Sequence, residues 1–189
     1  SCGIFYDYVS NFIPIIKNML KIAHHPLYNH PLKENHRFPM IKYELIPEQL
    51  IMENTCVENN FFKPKIISEE NVLFTHDKLY FEKLQNQQLD RKEIRAIGFP
   101  MSEKLIEREK TIVQGTVECS LNSLKYGISM NIAGGTHHAF TNRAEAFCLL
   151  NDQAIAANFL LKNDYCKKIL ILDLDVHQGN GTAEIFRNN

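Results

Sequence analysis

The stretch that decides the fold lies at residues 167–186 and reads KKILILDLDVHQGNGTAEIF. Four consecutive apolar residues at 169–172 predict a short, buried β-strand, because a strand covered on both faces shows no polar alternation. Asp173, Asp175 and His177 follow at alternate positions. Residues two apart share one face of an extended backbone, so these side chains should project together from the carboxyl end of the strand, where open α/β sheets bind ligands.

A second polar cluster follows another predicted strand. Residues 128–132 (ISMNI) predict a strand, and the loop after it carries His137 and His138. A helix is predicted from residue 151 or 152 to Leu161. A strand, a helix and a strand in this order imply parallel pairing through a right-handed crossover, which brings both loops to the same edge of the sheet. We therefore expect the two histidines to face the first cluster.

The clearest helix is predicted to start at Ser102 and to end at Gly127. Apolar residues recur at spacings of three and four from Leu105 to Leu124, while Arg108 and neighbouring charged residues occupy the opposite face. A serine is a preferred helix N-cap, and a glycine often ends a helix. This pattern predicts a long amphipathic helix packed against the sheet.

The region before this helix gives weaker signals. We predict a strand at residues 20–23 and another at residues 66–67. A helix is expected around Pro47, starting at that proline, because proline is tolerated in the first turn of a helix and not in its interior. Residues 91–100 are predicted to be a link between helices.

Composition fits one globular domain, or most of one. The 189 residues include 21 basic and 22 acidic side chains, a net charge of −1, so the sequence has no electrostatic footprint for nucleic acid or an anionic membrane. Apolar runs stay below the roughly 20 residues of a transmembrane helix. Five cysteines without a C-x-x-C pair argue against a disulfide framework and favour the cytoplasm. The sequence leaves the oligomeric state open.

The first residues give no regular pattern. Residues 1–18 are apolar and aromatic but are interrupted by Asp7 and Pro14. Two interpretations stay open, namely an extension outside the core with Met19 as the natural start, or an ordinary N-terminal segment. We expect the core domain at residues 19–189.

The polar clusters suit metal chemistry. Carboxylate and imidazole groups are ligands for a borderline divalent ion such as Zn²⁺, and a catalytic zinc site keeps one position open for water. Bound zinc lowers the pKa of its water to about 7, and a nearby histidine accepts the remaining proton. Asp173 or Asn180 is expected to orient an imidazole through its second nitrogen.

Other interpretations of the same residues are simpler. Asp173 and Asp175 alone fit turn or helix-capping carboxylates, and a histidine pair after two glycines is often structural. Paired aspartates also bind Mg²⁺ in phosphotransfer sites, but the histidines and the absence of a phosphate-cradling glycine loop argue against that chemistry. The four histidines in residues 24–36 share no helical or strand face, so surface or capping roles are expected.

Two blocks of the chain resemble the zinc-dependent histone deacetylase family. One is the double-histidine block, GGTHHAFTNRAEAFCLLND at residues 134–152, and the other is the metal-binding block, LDLDVHQGNGTAEIF at residues 172–186. The match extends upstream through HRFPMIKY (36–43) and THDKLY (75–80) and looks closest to the class IV and bacterial branch. The resemblance implies the arginase/deacetylase fold, a three-layer αβα sandwich around a mostly parallel sheet, truncated here at its C-terminal side.

This resemblance implies metal and proton-transfer roles for individual residues. It makes Asp175 and His177 ligands of Zn²⁺, and His137 and His138 the tandem catalytic histidines beside the bound water. It makes Asp173 the partner of His137. Together with Asp175 and His177, Asp173 would also help to bind a structural monovalent cation, K⁺.

The resemblance also implies a substrate. Phe147 matches the aromatic that lines the acyl-lysine tunnel, Arg37 matches an arginine below the site, and Asn180 matches the partner of the second histidine. The implied reaction is hydrolysis of the amide of N-acetyl-lysine in a histone or another protein, or of a small acylated amine. No nucleic acid or membrane is expected as a partner.

Three departures from the family pattern stand out. The family takes its third metal ligand, an aspartate, and a catalytic tyrosine from sequence beyond residue 189, so the chain alone is expected to be inactive. The alternative is a non-catalytic remnant or an acyl-lysine and metal-binding module. Asn180 stands where many relatives carry aspartate, and it orients without adding charge. Ala144 and Ala146 replace expected glycines, at a cost of about 1 kcal/mol if φ is positive.

Overall fold

The structure, a computed structural model, describes residues 20–188, so the predicted extension at residues 1–18 lies outside the described range. Three short strands form a parallel sheet: β1 (Lys21–Ala23), β2 (Phe61–Phe62) and β3 (Ser129–Asn131). Their order is β2–β1–β3, with Ile22 opposite both Phe61 and Met130. The predicted parallel sheet and the strands predicted at residues 20–23 and 128–132 are confirmed.

Helices supply most of the regular structure within residues 20–188. They are α1 (Lys42–Met52), α2 (Glu69–Val72), α3 (Lys78–Gln85), α4 (Arg91–Ile97), α5 (Glu103–Tyr126), α6 (Asp152–Lys162) and α7 (Asn180–Ile185). Two 3₁₀ turns lie at Pro26–Tyr28 and Glu58–Asn60. Within the described range, no helix combines the length and apolarity needed to span a bilayer.

Helix α5 organises the core. Its N-terminus is capped by Ser102, whose Oγ accepts the N–H of Leu105 at 3.1 Å, and the chain leaves it at Gly127 with φ +87°. The helix packs against β1, β3 and α6. The predicted apolar stripe is buried from Leu105 to Val117, but its last member, Leu124, is 58% exposed. The position of Arg108 on an exposed face was also wrong, since its side chain is only 3% exposed. Burial is possible because the guanidinium pairs with Glu109.

Helix α1 contradicts the prediction that a helix starts at Pro47. It begins five residues earlier and carries Pro47 in its interior. A proline there has no N–H for the carbonyl four residues before it, which is that of Tyr43. Tyr43 and Pro47 are both buried in this helix. Burial of these side chains offsets part of the cost of the proline.

The predicted link at residues 91–100 is also wrong, because it contains α4. Asp90 caps this helix through the N–H groups of Lys92 and Glu93, and the Glu93 carboxylate accepts the N–H of Asp90 in return. The helix ends at Gly98 with φ +81°. Both are recognised sequence signals of helix ends, but seven residues are too few for a clear apolar period.

Two predicted strands are not found. No strand includes residues 66–67, and the chain forms β2 a few residues earlier. Residues 169–172 form no strand, and they are not buried on both faces as predicted. Ile169 and Ile171 line a groove of about 680 Å³ beside α6 and α7. The alternate residues Leu170 and Leu172 are 87% and 71% exposed, because in the described residues nothing covers that face.

Candidate active site

The loop after β3 places His137 and His138 side by side. Their ring centroids lie 4.2 Å apart. His137 is buried, and its Nδ1 lies 2.6 Å from Oδ2 of Asp173. His138 Nδ1 lies 2.7 Å from Oδ1 of Asn180, at the start of α7. The two predicted loops therefore meet, although residues 169–172 form no paired strand.

These contacts define the tautomer of each neutral ring. Asn180 Oδ1 also accepts the N–H of Gly181 at 3.0 Å, so it is the amide oxygen that faces His138. An oxygen acceptor requires Nδ1 of the imidazole to carry the proton, which leaves Nε2 as the basic nitrogen. The same assignment holds for His137 against the Asp173 carboxylate. Both histidines thus present an acceptor nitrogen away from their partners.

Two glycines let α7 approach the histidine loop. A Cβ on Gly181 would lie 2.7 Å from the carbonyl oxygen of His137 and closer still to that of Ala139. A Cβ on Gly179 would collide with the Asp173 carboxylate. The close approach allows Thr182 N to donate to the His137 carbonyl at 3.1 Å. The sequence alone gives no signal of this close approach.

Buried polar groups at the start of α6 form hydrogen bonds that hold the histidine loop in place. Oδ1 of Asp152 accepts the Thr136 N–H at 2.8 Å and the Thr136 hydroxyl at 2.6 Å. Asn151 Nδ2 donates to the Ala139 carbonyl at 3.0 Å, and its own N–H donates to Nε2 of His76, also at 3.0 Å. These roles were missed in the sequence analysis, which identified residues 151 and 152 only as the start of a helix.

Asp175 and His177 lie on the exposed side of the site. Their side chains are 52% and 74% exposed, and His177 Nδ1 lies 3.1 Å from Oδ1 of Asp175. The same oxygen accepts the backbone N–H of His177 at 2.7 Å, which holds the pKa of Asp175 below its usual value. A hydrogen bond with His137 lowers the pKa of Asp173. Both carboxylates are therefore ionised at neutral pH.

The donor set fits a borderline divalent ion in part. Asp175 and His177 offer an oxygen and a nitrogen ligand, and the His177 ring lies 6.2 Å from that of His138 between centroids. Within residues 20–188, however, no group of three histidine, cysteine or acidic side chains is arranged to bind a metal. The described residues thus supply two candidate ligands and lack a third.

A cavity of about 520 Å³ connects these groups. Its lining includes His137, His138, Asp175, His177, Arg37, Phe38, Lys42, Tyr43, Arg108 and Phe147. One wall is aromatic, since the Phe147 ring lies 5.2 Å from Phe38 and 4.8 Å from Phe99. His36 supports this wall by donating from Nε2 to the Gly98 carbonyl at 3.1 Å, because its Nδ1 accepts the N–H of Phe38.

The wall contains strained backbone. Ala146 has φ +46° and Phe147 has φ +67°, whereas Ala144 does not have a positive φ. The N–H groups of Ala146 and Phe147 donate to the carbonyls of Ala96 and Ile97 at 2.8 and 2.7 Å. These bonds keep the Phe147 ring in the cavity. Of the two alanines found where glycines were expected, only Ala146 occupies the left-handed region.

Two arginines line the cavity in different ways. Arg37 is exposed and lies over the Phe147 ring at 4.6 Å. Arg108, which sequence reasoning placed on a solvent-facing surface, is the buried arginine of this cavity, with Nε donating to the Tyr28 carbonyl at 2.8 Å. No periodic signal could have identified it, since its burial depends on the distant Tyr28 carbonyl as well as on the adjacent Glu109.

Comparisons with known proteins point to one protein family. Residues 31–189 match the model of the histone deacetylase domain. An uncharacterised protein of Picosynechococcus sp. is 37% identical over 89% of this chain and 56% of its own length. The acetoin utilization protein AcuC of Staphylococcus aureus is 27% identical over 81% of this chain and 42% of its own length. The chain thus spans about half the length of these relatives.

Solved structures of histone deacetylase homologues share the fold of this chain. The crystal structure of an HDAC homologue complexed with SAHA superposes with a TM-score of 0.75 at 27% identity, covering 90% of this chain and 48% of that protein. An HDAC homologue from Aquifex aeolicus gives a TM-score of 0.73 at 28% identity, covering 88% and 47%. The predicted arginase/deacetylase-like α/β fold is confirmed.

Proposed function

The chain belongs to the histone deacetylase family, and we propose that it forms the N-terminal part of a metal-dependent amidohydrolase acting on N-acetyl-lysine. The observation that carries this proposal is the pair of parallel contacts His137–Asp173 and His138–Asn180. They fix two basic nitrogens in a cavity that also contains Asp175 and His177.

The proposed reaction is hydrolysis of the acyl amide. Water adds to the acyl carbon, the carbon–nitrogen bond breaks, and the products are a carboxylic acid and the lysine amine. Zn²⁺, when bound by Asp175 and His177, would supply Lewis-acid polarisation of the carbonyl and activation of water. Nε2 of one histidine would accept the proton of water, and a protonated histidine would donate to the leaving amine.

The cavity wall suits the alkyl part of such a substrate. Phe38 and Phe147 present apolar ring surface that would enclose the methylene groups of an acyl-lysine side chain. The substrate would be an acetylated lysine of a histone or another protein, or a small acylated amine. Arg37, which lies over the Phe147 ring, would line the same substrate tunnel.

We propose that the complete site draws on further sequence. Residues 20–188 contain no three-residue metal group, and the chain spans about half of its relatives. The third ligand and a carbonyl-binding tyrosine are therefore expected from outside this sequence. The structural K⁺ at Asp173, Asp175 and His177, and the cytoplasmic location, stay predictions.

Zinc titration and acetate release test the proposal together. The chain should bind zinc, and alanine in place of Asp175 or His177 should abolish the binding, while the exposed control Glu34→Ala should not. This chain alone should release no detectable acetate from an acetyl-lysine peptide, whereas a complete enzyme should, because loss of a transition-state donor by itself lowers the rate by about 10²–10³. Zinc and peptide binding without any turnover, even in an extended chain, would favour a non-catalytic binding module. Absence of both would refute the proposal.

A further inference from the structure

Two neighbouring residues at the N-terminus of α6, Asn151 and Asp152, contact the chain on either side of the histidine pair. Oδ1 of Asp152 accepts the backbone N–H of Thr136, the residue before the pair, at 2.8 Å. Nδ2 of Asn151 donates to the carbonyl of Ala139, the residue after the pair, at 3.0 Å. Asn151 is 0% exposed and Asp152 is 2% exposed. One buried helix end therefore holds both ends of the segment that carries the two rings.

The carboxylate of Asp152 is held by hydrogen-bond donors and not by a cation. Oδ1 also accepts the Thr136 hydroxyl at 2.6 Å, and Oδ2 accepts the Thr116 hydroxyl of α5 at 2.7 Å. Within residues 20–188, Asp152 forms no ion pair. A Cβ on Gly134 would lie 2.5 Å from Oδ2, so the loop could not close on this carboxylate with a side chain at position 134. Because a buried carboxylate is costly unless its oxygens are hydrogen-bonded, this arrangement fixes Asp152 and, through it, Thr136.

The side-chain amide of Asn151 is connected to the second ring by two routes. One is the backbone bond after the histidine pair. The other runs through α7, because Nδ2 also donates to Oγ1 of Thr182 at 3.0 Å, and α7 begins at Asn180, the partner of His138. Oδ1 of Asn151 accepts the N–H of Ala154 at 3.0 Å and thereby caps α6. The amide thus joins α6, the histidine loop and the helix that carries the partner of the second ring.

We propose that Asp152 and Asn151 are positioning residues that act on the two histidines separately, Asp152 on His137 and Asn151 on His138. Each acts on its ring through neighbouring backbone, and Asn151 also acts through α7. A proton-accepting nitrogen must lie within hydrogen-bonding reach of the group that it serves, so a displaced ring transfers protons less well. This inference rests on the proposed amide hydrolysis, in which both rings carry protons.

Proton and nitrogen NMR of the histidine rings tests this assignment in the metal-free 189-residue chain. The Nδ1–H signals of His137 and His138 report the hydrogen bond that each ring makes with its partner, since a shorter bond deshields its proton. Asp152→Ala should shift the His137 signal upfield, because that bond lengthens, and should move the His138 signal less. Asp152→Asn keeps an acceptor oxygen for Thr136 and should restore the signal of the wild type.

Asn151→Asp is the reciprocal variant. Aspartate caps a helix about as well as asparagine does, but its carboxylate cannot donate to the Ala139 carbonyl. This variant should shift the His138 signal more than the His137 signal. Ser102→Ala is the matched control, since it removes the N-cap of another helix, α5, and should move neither signal.

Other results would overturn the inference. Equal shifts of both rings in each variant would show a general loosening of the loop, and an Asp152→Asn signal that stays shifted would refute positioning by the acceptor oxygen. Urea unfolding checks that each variant is folded. If Asp152→Ala does not fold, Thr116→Val removes one donor to the carboxylate and should shift the His137 signal in the same direction by less. The signals need no metal or substrate, so the expected shifts in a chain that binds neither zinc nor an acyl-lysine peptide would refute the proposed function and leave the positioning role intact.

Discussion

The two halves of the candidate site are held in different ways. His137 is buried, fixed by Asp173, and lies on a loop whose backbone is bonded to α6 and α7. Asp175 and His177 are more than half exposed and are bonded mainly to each other. The difference shows that the fold preorganises the histidine pair, while the candidate metal ligands depend on local hydrogen bonds. Variants in the two halves should therefore differ in their effects on stability.

The largest effect is expected from breaking the contact between α7 and the histidine loop. Gly181→Ala would force a Cβ against the carbonyls of His137 and Ala139, and backbone atoms cannot move aside as a flexible side chain can. We expect a loss of about 3 kcal/mol in the free energy of unfolding, at the upper end for overpacking. Urea unfolding and hydrogen exchange at the Thr182 N–H measure it.

Gly135→Ala is the matched control. Gly135 has φ +70°, but a Cβ there meets no atom within 4 Å. Only the backbone strain of about 1 kcal/mol should appear. Equal stability of Gly181→Ala and the wild type would refute the proposed close packing.

Lowering the pH should destabilise the folded chain through protonation of His76, a buried residue beside the histidine loop. Burial lowers the pKa of this histidine from 6.5 to about 4, although its bond to the Thr141 carbonyl acts in the opposite direction. Between these values the unfolded chain binds a proton that the folded chain does not, so stability falls as the pH drops from about 6.5 to 4. The loss attributable to His76 should be about 2 kcal/mol between pH 7 and pH 5.

Unfolding measured across this pH range tests the assignment. His76→Gln should flatten the slope, at the cost of lower stability at pH 7 from the altered bond to Asn151 N. His25→Gln, in a partly exposed ring, should keep most of the slope. An unchanged slope in His76→Gln would show that other groups cause the acid sensitivity.

Relief of the backbone strain in the cavity wall should raise the free energy of unfolding. Ala146→Gly should raise the free energy of unfolding by up to about 1 kcal/mol, because glycine adopts φ +46° without a steric penalty. Ala144→Gly, at a buried position without a positive φ, should instead lower it. Thermal unfolding compares the pair. A loss in both variants would mean that the entropy of the unfolded glycine outweighs the relieved strain.

The smallest effect on stability is expected in the exposed half. His177→Gln should change the free energy of unfolding by no more than about 0.5 kcal/mol while lowering zinc affinity, since this side chain is 74% exposed. His137→Gln removes a buried hydrogen-bonded ring and should cost at least about 1 kcal/mol. Similar losses of stability in both variants would remove the distinction between the halves.

Local sequence signals identified much of this arrangement. Ser102 and Gly127 marked the ends of α5, and the predicted meeting of His137 and His138 with the loop of Asp173 is found, although the strand predicted before Asp173 is not. The signals failed where burial depends on distant partners. Arg108 appears polar in any helical pattern, but a neighbouring carboxylate and the Tyr28 carbonyl make its burial possible. The exposure of residues 169–172 likewise depends on what packs beside them.

By itself, the sequence determined the family, the parallel α/β arrangement and the residue types of the site, because periodicity, capping and motif spacing are local properties of the chain. Only the tertiary structure decided which imidazole nitrogen is basic, why Gly179 and Gly181 must lack a Cβ, and which cations share the cavity. Each of these depends on distances between residues far apart in the chain, and such distances are fixed only when the elements pack together.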